Sequence, residues 1–190
     1  MPVMFSLIIY FLGGAFLWTF LEYFLHRFLG HRKQGSNDFT QEHLRHHRET
    51  HYFAPAYKKA IAATIVVSAL AIILGFIIGW LQGAAFSMGL GIMYITYEVI
   101  HKRAHTHAPI GAYGRWLRKH HFYHHFKDPK MNHGVTSPLW DIVFGTNVIP
   151  DVVMVPRKFA LNWLVNLNGE ILPQFAGDFK FREGSVARVE

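Results

Sequence analysis

The chain has 190 residues, about one domain's worth, and is 51% hydrophobic with a positive mean hydropathy. Cysteine is absent, which excludes a disulfide framework and a Cys-type zinc site, so any bound metal must be held by nitrogen or carboxylate oxygen. The formal charge of +7 would suit a nucleic-acid partner, but residues 1–21 and 60–97 carry no charge, and all 19 Lys and Arg and all 12 Asp and Glu lie in 22–59 and 98–190.

A bilayer crossing takes about 20 mostly apolar residues. The stretch 3–23 fits one crossing, and 60–97 fits two short ones joined by Gly79-Trp80-Leu81-Gln82-Gly83. A shallow re-entrant hairpin is the alternative for 60–97. A cleaved signal peptide at 1–21 is disfavoured, because there is no basic n-region and no small-residue cleavage site. Three crossings put both charged blocks on one side, and Lys and Arg are retained in the cytosol. The expectation is therefore an N-terminus outside and a histidine-rich face in the cytoplasm, which explains the basic balance without nucleic acid.

The first helix should run past Glu22 to Arg27 and break at Gly30 and the polar stretch Lys33-Gln34-Gly35-Ser36-Asn37. Asp38 with Gln41 reads as a capping box opening a helix over 39–51, and Pro55 ends that region. The hairpin over 60–100 continues through His101 and His105 until Pro109 and Gly111. A further helix is expected over 113–126. From Asp128 the chain reads as loop, with one apolar piece at 138–144 and an irregular tail after Pro150. The fold class is all-α: a membrane bundle of about three transmembrane helices with a cytosolic helical cap. It forms a single domain over 1–190, with its core in 16–147 and an irregular tail over 148–190.

Fourteen histidines are present, and ten of them fall into four tight spacings. These are His26-x4-His31, His43-x2-His46-His47, His101-x3-His105 and His121-x2-His124-His125. Residues three and four apart share a helix face, so His43, His46 and His47 point the same way, as do His121, His124 and His125. His26 and His31, five apart, fit a helix ending between them. Each motif offers two or three rings, and four together supply enough for two metals with open positions. A lone interfacial histidine is more often structural; it is the four motifs jointly that favour metal. His51, His107, His120 and His133 read as surface or supporting residues rather than ligands. Both His26 and the His101/His105 pair follow the ends of apolar spans, where a lipid chain dissolved in the bilayer could reach a metal.

The order of these motifs resembles the fatty acid hydroxylase / sterol desaturase superfamily of integral-membrane di-metal oxidases. Glu22-Tyr23-Phe24-Leu25-His26-Arg27 resembles the end of that family's membrane helix, and Tyr97-Glu98-Val99-Ile100-His101 its entry to the third box. The stretch His121-Phe122-Tyr123-His124-His125-Phe126-Lys127-Asp128-Pro129, with Gly134-Val135-Thr136-Ser137-Pro138-Leu139-Trp140-Asp141 and Phe144-Gly145-Thr146, is similar to the signature of fatty acid 2-hydroxylases. The resemblance covers about residues 16–147. It implies a lipid hydroxylase, an oxidoreductase that uses O2 as co-substrate at two iron ions; such proteins can also be isolated with zinc. The ligands carried over are His26, His31, His43, His46, His47, His101, His105, His121, His124 and His125.

This sequence departs from that pattern in three places. It lacks the longer basic, proline-rich stretch after the second box, it has His133 where the family has Phe, and no haem-type electron-carrier domain is fused to it. A separate electron-transfer protein is therefore expected. Glu98 and Asp141 are the candidate acceptors for ligand N–H groups. Arg115, Arg118 and Lys119 read as positive-inside anchors, with a lipid head group as the alternative. Desaturation and carotenoid or sterol hydroxylation stay open as reactions. A non-catalytic zinc-binding membrane protein is the reading from another class, although structural zinc needs only four ligands.

Overall fold

The computed structural model describes residues 3–31 and 37–182. It is mostly helical: α1 (Val3–Phe24), a π turn (Leu25–Gly30), α2 (Asp38–Arg48), α3 (Ala56–Ile78), α4 (Trp80–Thr106), α5 (Gly111–Phe126) and α6 (Leu139–Val143), followed by strands β1 (Val153–Val155) and β2 (Phe179–Phe181). The chain divides into two compact units, Met1–Glu22 with Ala54–Val99, and Tyr23–Phe53 with Ile100–Glu190.

The first unit holds the apolar helices. Three spans are long and apolar enough to cross a membrane, Val3–Gly30, Ala56–Ile78 and Trp80–Thr106. At 1.5 Å per residue even the 23-residue span reaches about 34 Å, more than a hydrocarbon core requires. The chain is thus an integral membrane protein, and the short legs expected of a re-entrant hairpin are replaced by full-length helices. The difference lies at the turn: Gly79 alone, at φ +103°, separates α3 from α4, and Trp80–Gly83 are already helical. Side chains such as Phe5, Ile8 and Leu12 on α1 and Ile65, Phe76 and Ile77 on α3 are exposed, as lipid-facing residues are. Inside the unit the backbones approach closely. A Cβ on Gly14 would lie 1.9 Å from the Phe86 carbonyl oxygen, and one on Gly89 would lie 2.0 Å from that of Phe11. In lipid, where apolar burial gives helices little reason to associate, such small-residue contacts supply the packing. Trp18 packs edge-on to Tyr94 at 4.8 Å, and Lys59 is ion-paired with Glu98.

The second unit is built on α5, whose buried residues include Leu117, His120, His121, Phe122, His124 and Phe126. Phe122 and Phe126 form a core cluster with Val153, Val155, Leu161, Trp163, Leu164, Phe175 and Phe179. The region after Pro150, expected to be irregular, therefore contributes most of this core. It also holds a parallel two-stranded sheet in the register Val153↔Phe179 and Val155↔Phe181. Trp163 Nε1 donates to the Ala104 carbonyl at 3.1 Å, which satisfies its only polar atom.

Three local expectations change. α2 is capped by Asn37 rather than by Asp38: its Oδ1 accepts the Thr40 N–H at 2.9 Å. α2 ends at Arg48, not at His51. The π turn replaces a simple helix break before Gly30, and Lys33–Ser36 lie outside the described residues.

Candidate metal centre

Ten histidines converge in the second unit as two groups of five. The first is His26, His31, His43, His47 and His124; the second is His46, His101, His105, His121 and His125. Within each group the ligand-capable atoms all lie within 4.8 Å of one another. The groups adjoin, since the His47 ring stacks on that of His125 with centroids 4.0 Å apart.

Each element delivers its rings for a local reason. The π turn closes backbone bonds from i to i+5, so His26 and His31, one such repeat apart, bring their rings to 5.4 Å. On α2 and α5 each His-x2-His-His triplet splits. At about 100° per residue, the i,i+4 pair lies about 40° apart while neighbouring residues lie about 100° apart. His43 and His47 accordingly serve the first group and His46 the second. His121 and His125 serve the second and His124 the first. The expectation that each triplet points one way is corrected to this exchange.

Backbone carbonyls orient three of the rings. Nδ1–H of His26 donates to the His133 carbonyl at 2.5 Å, that of His46 to Tyr52 at 2.7 Å, and that of His124 to Met131 at 2.7 Å. A neutral ring that donates from Nδ1 leaves Nε2 as a bare lone pair. His26 Nε2 and both ring nitrogens of His125 are buried with no hydrogen-bond partner among the described residues. In the first group the Nε2 atoms of His47, His43, His31 and His124 follow one another at 3.1, 3.1 and 2.9 Å. In the second, those of His105 and His121 meet at 2.8 Å. A ring nitrogen has one in-plane site, either proton or lone pair. His31 and His43 each face two others, so these contacts cannot all be hydrogen bonds. A cation at each convergence satisfies them together, so the donor set fits a metal ion in each group. All-nitrogen donors suit iron as well as zinc.

The electrostatics agree. Burial holds His31 at about 4. Burial first, and then the neighbouring rings, also push His43, His47, His121, His124 and His125 well below the usual 6.5. The lowered values favour the neutral form of these six rings, the form that ligates metal.

Asp141 is fully buried and organises the loop that supplies two of the carbonyls. It accepts from the backbone N–H of His133 at 2.8 Å and of Gly134 at 2.7 Å, from Thr146 Oγ1 at 2.8 Å and from His120 Nε2 at 3.2 Å. Burial alone would raise its pKa, but these donors outweigh it and hold the carboxyl far below its ordinary value. The Tyr23 hydroxyl contacts Thr146 Oγ1 at 3.1 Å and in turn accepts from Arg27. Glu98, the other candidate acceptor, is paired with Lys59. His120 and His133 belong to the Asp141 network, His107 Nδ1 meets the Thr106 hydroxyl at 2.7 Å, and His51 is exposed; none of these four joins either group. Arg118 is no head-group anchor. Its buried guanidinium donates to the carbonyls of Arg103, His107, Ala108 and Gly114, closing the end of α4. Arg115 and Lys119 pair with Asp178 at 3.0 and 3.3 Å.

Residues 11–146 match the family model described as fatty acid hydroxylase. The chain belongs to the fatty acid hydroxylase family. It is 33% identical over 156 residues to the ceramide very long chain fatty acid hydroxylase SCS7 of Saccharomyces cerevisiae, covering 77% of this chain and 40% of that protein. It is 34% identical over 149 residues to the dihydroceramide fatty acyl 2-hydroxylase FAH1 of Arabidopsis thaliana, covering 76% and 62%. Among solved structures it is similar to the visible hydroxylase domain of full-length scs7p, with a TM-score of 0.60 and 28% identity over 80% of this chain and 59% of that one. The chain spans about two fifths of the yeast relative's length. Within the family region, what sequence reasoning missed are the carbonyls of Tyr52, Met131 and His133. They act through the backbone, so no residue type signals them.

Proposed function

We propose that this chain is the catalytic domain of a membrane-bound di-iron lipid hydroxylase that places a hydroxyl on the acyl chain of a fatty acid or ceramide-type lipid. The observation that carries the proposal is the pair of adjoining five-histidine groups, ten ring-nitrogen donors in all, in a chain with three membrane-length helices. The relatives' names, fatty acyl and ceramide hydroxylases, support the substrate class.

In this reading His26, His31, His43, His47 and His124 hold one ion, and His46, His101, His105, His121 and His125 the other. Filled with iron, the centre supplies dioxygen activation and the removal of hydrogen from an unactivated C–H bond. The chain's own residues do the rest. Carbonyls of Tyr52, Met131 and His133 fix the ring planes of His46, His124 and His26. Asp141 holds the loop on which two of those carbonyls sit. Phe53 packs edge-on to His105 at 5.5 Å and to His101 at 5.9 Å, giving the second group an apolar wall. A dry wall suits a hydrocarbon substrate and keeps water from reactive oxygen. The excess of Lys and Arg over Asp and Glu in the charged blocks supports a cytoplasmic histidine face and an outside N-terminus. Electrons come from a separate carrier.

The test is mass spectrometry of whole-cell lipids from cells expressing the chain or a His46→Ala/His124→Ala variant at equal abundance. A lipid that gains one oxygen in the wild type alone is the expected result and names the substrate. Loss of two hydrogens would convert the reading to a desaturase. Purified protein carrying stoichiometric zinc, with no lipid changed after iron reconstitution and a chemical reductant, would sink it.

A further inference from the structure

A line of aromatic rings leads from the histidine groups to a cationic surface. His125, whose ring stacks on His47, is followed in the chain by Phe126, with ring centroids 6.0 Å apart. The Phe126 ring is stacked on Phe159, 6.0 Å away and tilted by 8°. Phe159 is only half-buried, and Lys158 Nζ sits 4.7 Å from its centre. Three more cations belong to the segments that carry Phe126 and Phe159 or that pair with them. Lys127 follows Phe126 and is exposed. Arg182 donates to the Phe126 carbonyl at 2.5 Å. Arg157 lies 4.3 Å over Phe181, whose strand pairs with the one leading into Arg157. Lys127 and Lys158 have no acidic side chain within ion-pair distance among the described residues. Among the described residues, these two exposed lysines flank the Phe126–Phe159 stack without an acidic partner.

We propose that Lys127, Arg157, Lys158 and Arg182 form the docking surface for an acidic one-electron carrier protein, with Phe159 and Phe126 lying on the electron's way to His125. The proposal rests on the reading of the centre as an externally reduced hydroxylase. Each hydroxylation of a C–H bond consumes one O2, two electrons and two protons and leaves an alcohol and one water. A one-electron carrier must therefore dock and become oxidised twice per turnover. Repeated brief docking of this kind favours electrostatic steering, which accelerates encounter without making the complex too tight to release. An anionic membrane is the other acidic surface such cations could meet. The aromatic connection to the metal groups favours the carrier, because lipid adhesion has no use for it.

The experiment uses the detergent-solubilised full chain and a plant-type ferredoxin as the acidic carrier, with basic cytochrome c as the opposite-charge control. Binding is read by fluorescence titration at low and at high NaCl, and therefore without turnover. The wild type should bind ferredoxin, weaken as salt rises and ignore cytochrome c. A Lys127→Glu/Arg157→Glu/Lys158→Glu variant, checked for wild-type circular dichroism and metal content, should bind about tenfold or more weakly. A Phe159→Leu variant should keep its affinity but take electrons from pre-reduced ferredoxin more slowly in stopped flow. Equal affinity in wild type and triple variant would overturn the proposal, as would no binding to the wild type at low salt. So would a triple variant that keeps ferredoxin but loses adhesion to phosphatidylserine vesicles, the result expected of a membrane contact. Hydroxylation by the wild type with dithionite in place of the carrier tests the hydroxylase reading separately, so the two can fail independently.

Discussion

Asp141 shows how much of the centre is held by a residue that touches no proposed ligand. Its carboxylate ties His133 N, Gly134 N, Thr146 and His120 together, and the same loop presents the Met131 and His133 carbonyls to His124 and His26. Gly134 fits because a Cβ there would lie 2.2 Å from the Ser137 carbonyl oxygen. An Asp141→Asn change swaps an acceptor-only group for one that must aim an NH2 at donors. It should lower stability by about 2–4 kcal/mol, a buried charged network losing its centre. Thermal unfolding in detergent and metal analysis check this; an unchanged midpoint with full metal content would show the loop stands without it. The sign with pH follows from the depressed carboxyl. Asp141's contribution is complete above its unfolded value of about 3.9 and is lost as pH falls towards the lower folded value. The split of the triplets gives a second prediction. His43→Ala should remove one metal of two, and so should His46→Ala, but from the other group; the pair together should leave none. Plasma-mass-spectrometric metal counts that fall to zero for either single variant would mean one shared site rather than two.

At the scale of elements, the π turn and the N-terminus of α2 meet at Gly30. A Cβ on that residue would sit 2.8 Å from His43 Cδ2, and Thr40 Oγ1 donates to the Leu29 carbonyl at 2.8 Å. The turn and the helix therefore share one fixed spacing, and His31 and His43 meet across it at 3.1 Å. Gly30→Ala should displace the His43 ring and reduce occupancy of the first group while leaving the second filled. The readout is the same metal count together with iron spectroscopy of the reconstituted protein. Full occupancy of both groups would show that the ring can yield. The i to i+5 spacing of His26 and His31 was visible in the sequence, but the π turn was not. A one-residue change of hydrogen-bond register leaves no compositional trace, and a helix break accounts for the same spacing.

Across the whole molecule, the charge-free stretches and the aromatic-rich tail have different fates. The former become helices whose exposed faces suit lipid, while the tail folds into the second unit. Of the nine residues in the core cluster, all but Phe122 and Phe126 come from beyond Pro150. Truncation after Pro150 should therefore expose the apolar side of α5, the helix that carries His121, His124 and His125. The expected outcome is a protein that reaches the membrane but retains no metal and is rapidly degraded, checked by membrane fractionation and metal analysis. A truncated chain with full metal content would show that α5 is held by the histidines alone. In sequence the tail looks irregular, because strands of three residues are too short to show alternation and its apolar residues follow neither a period of two nor one of 3.6.

The sequence alone determined which stretches are apolar enough to cross a bilayer, because a continuous run without charge has few other stable uses. It also determined which ten histidines to watch, because ligand spacing on a helix is a local property of 3.6 residues per turn. The family followed from the same residues in the same order. Only the tertiary structure decided which histidine serves which group, which carbonyl orients which ring, and that Arg118 closes a helix end instead of meeting lipid. Each of these depends on contacts between residues far apart in the chain. Such contacts are set by how the helices and the tail pack, and no local pattern of residues records them.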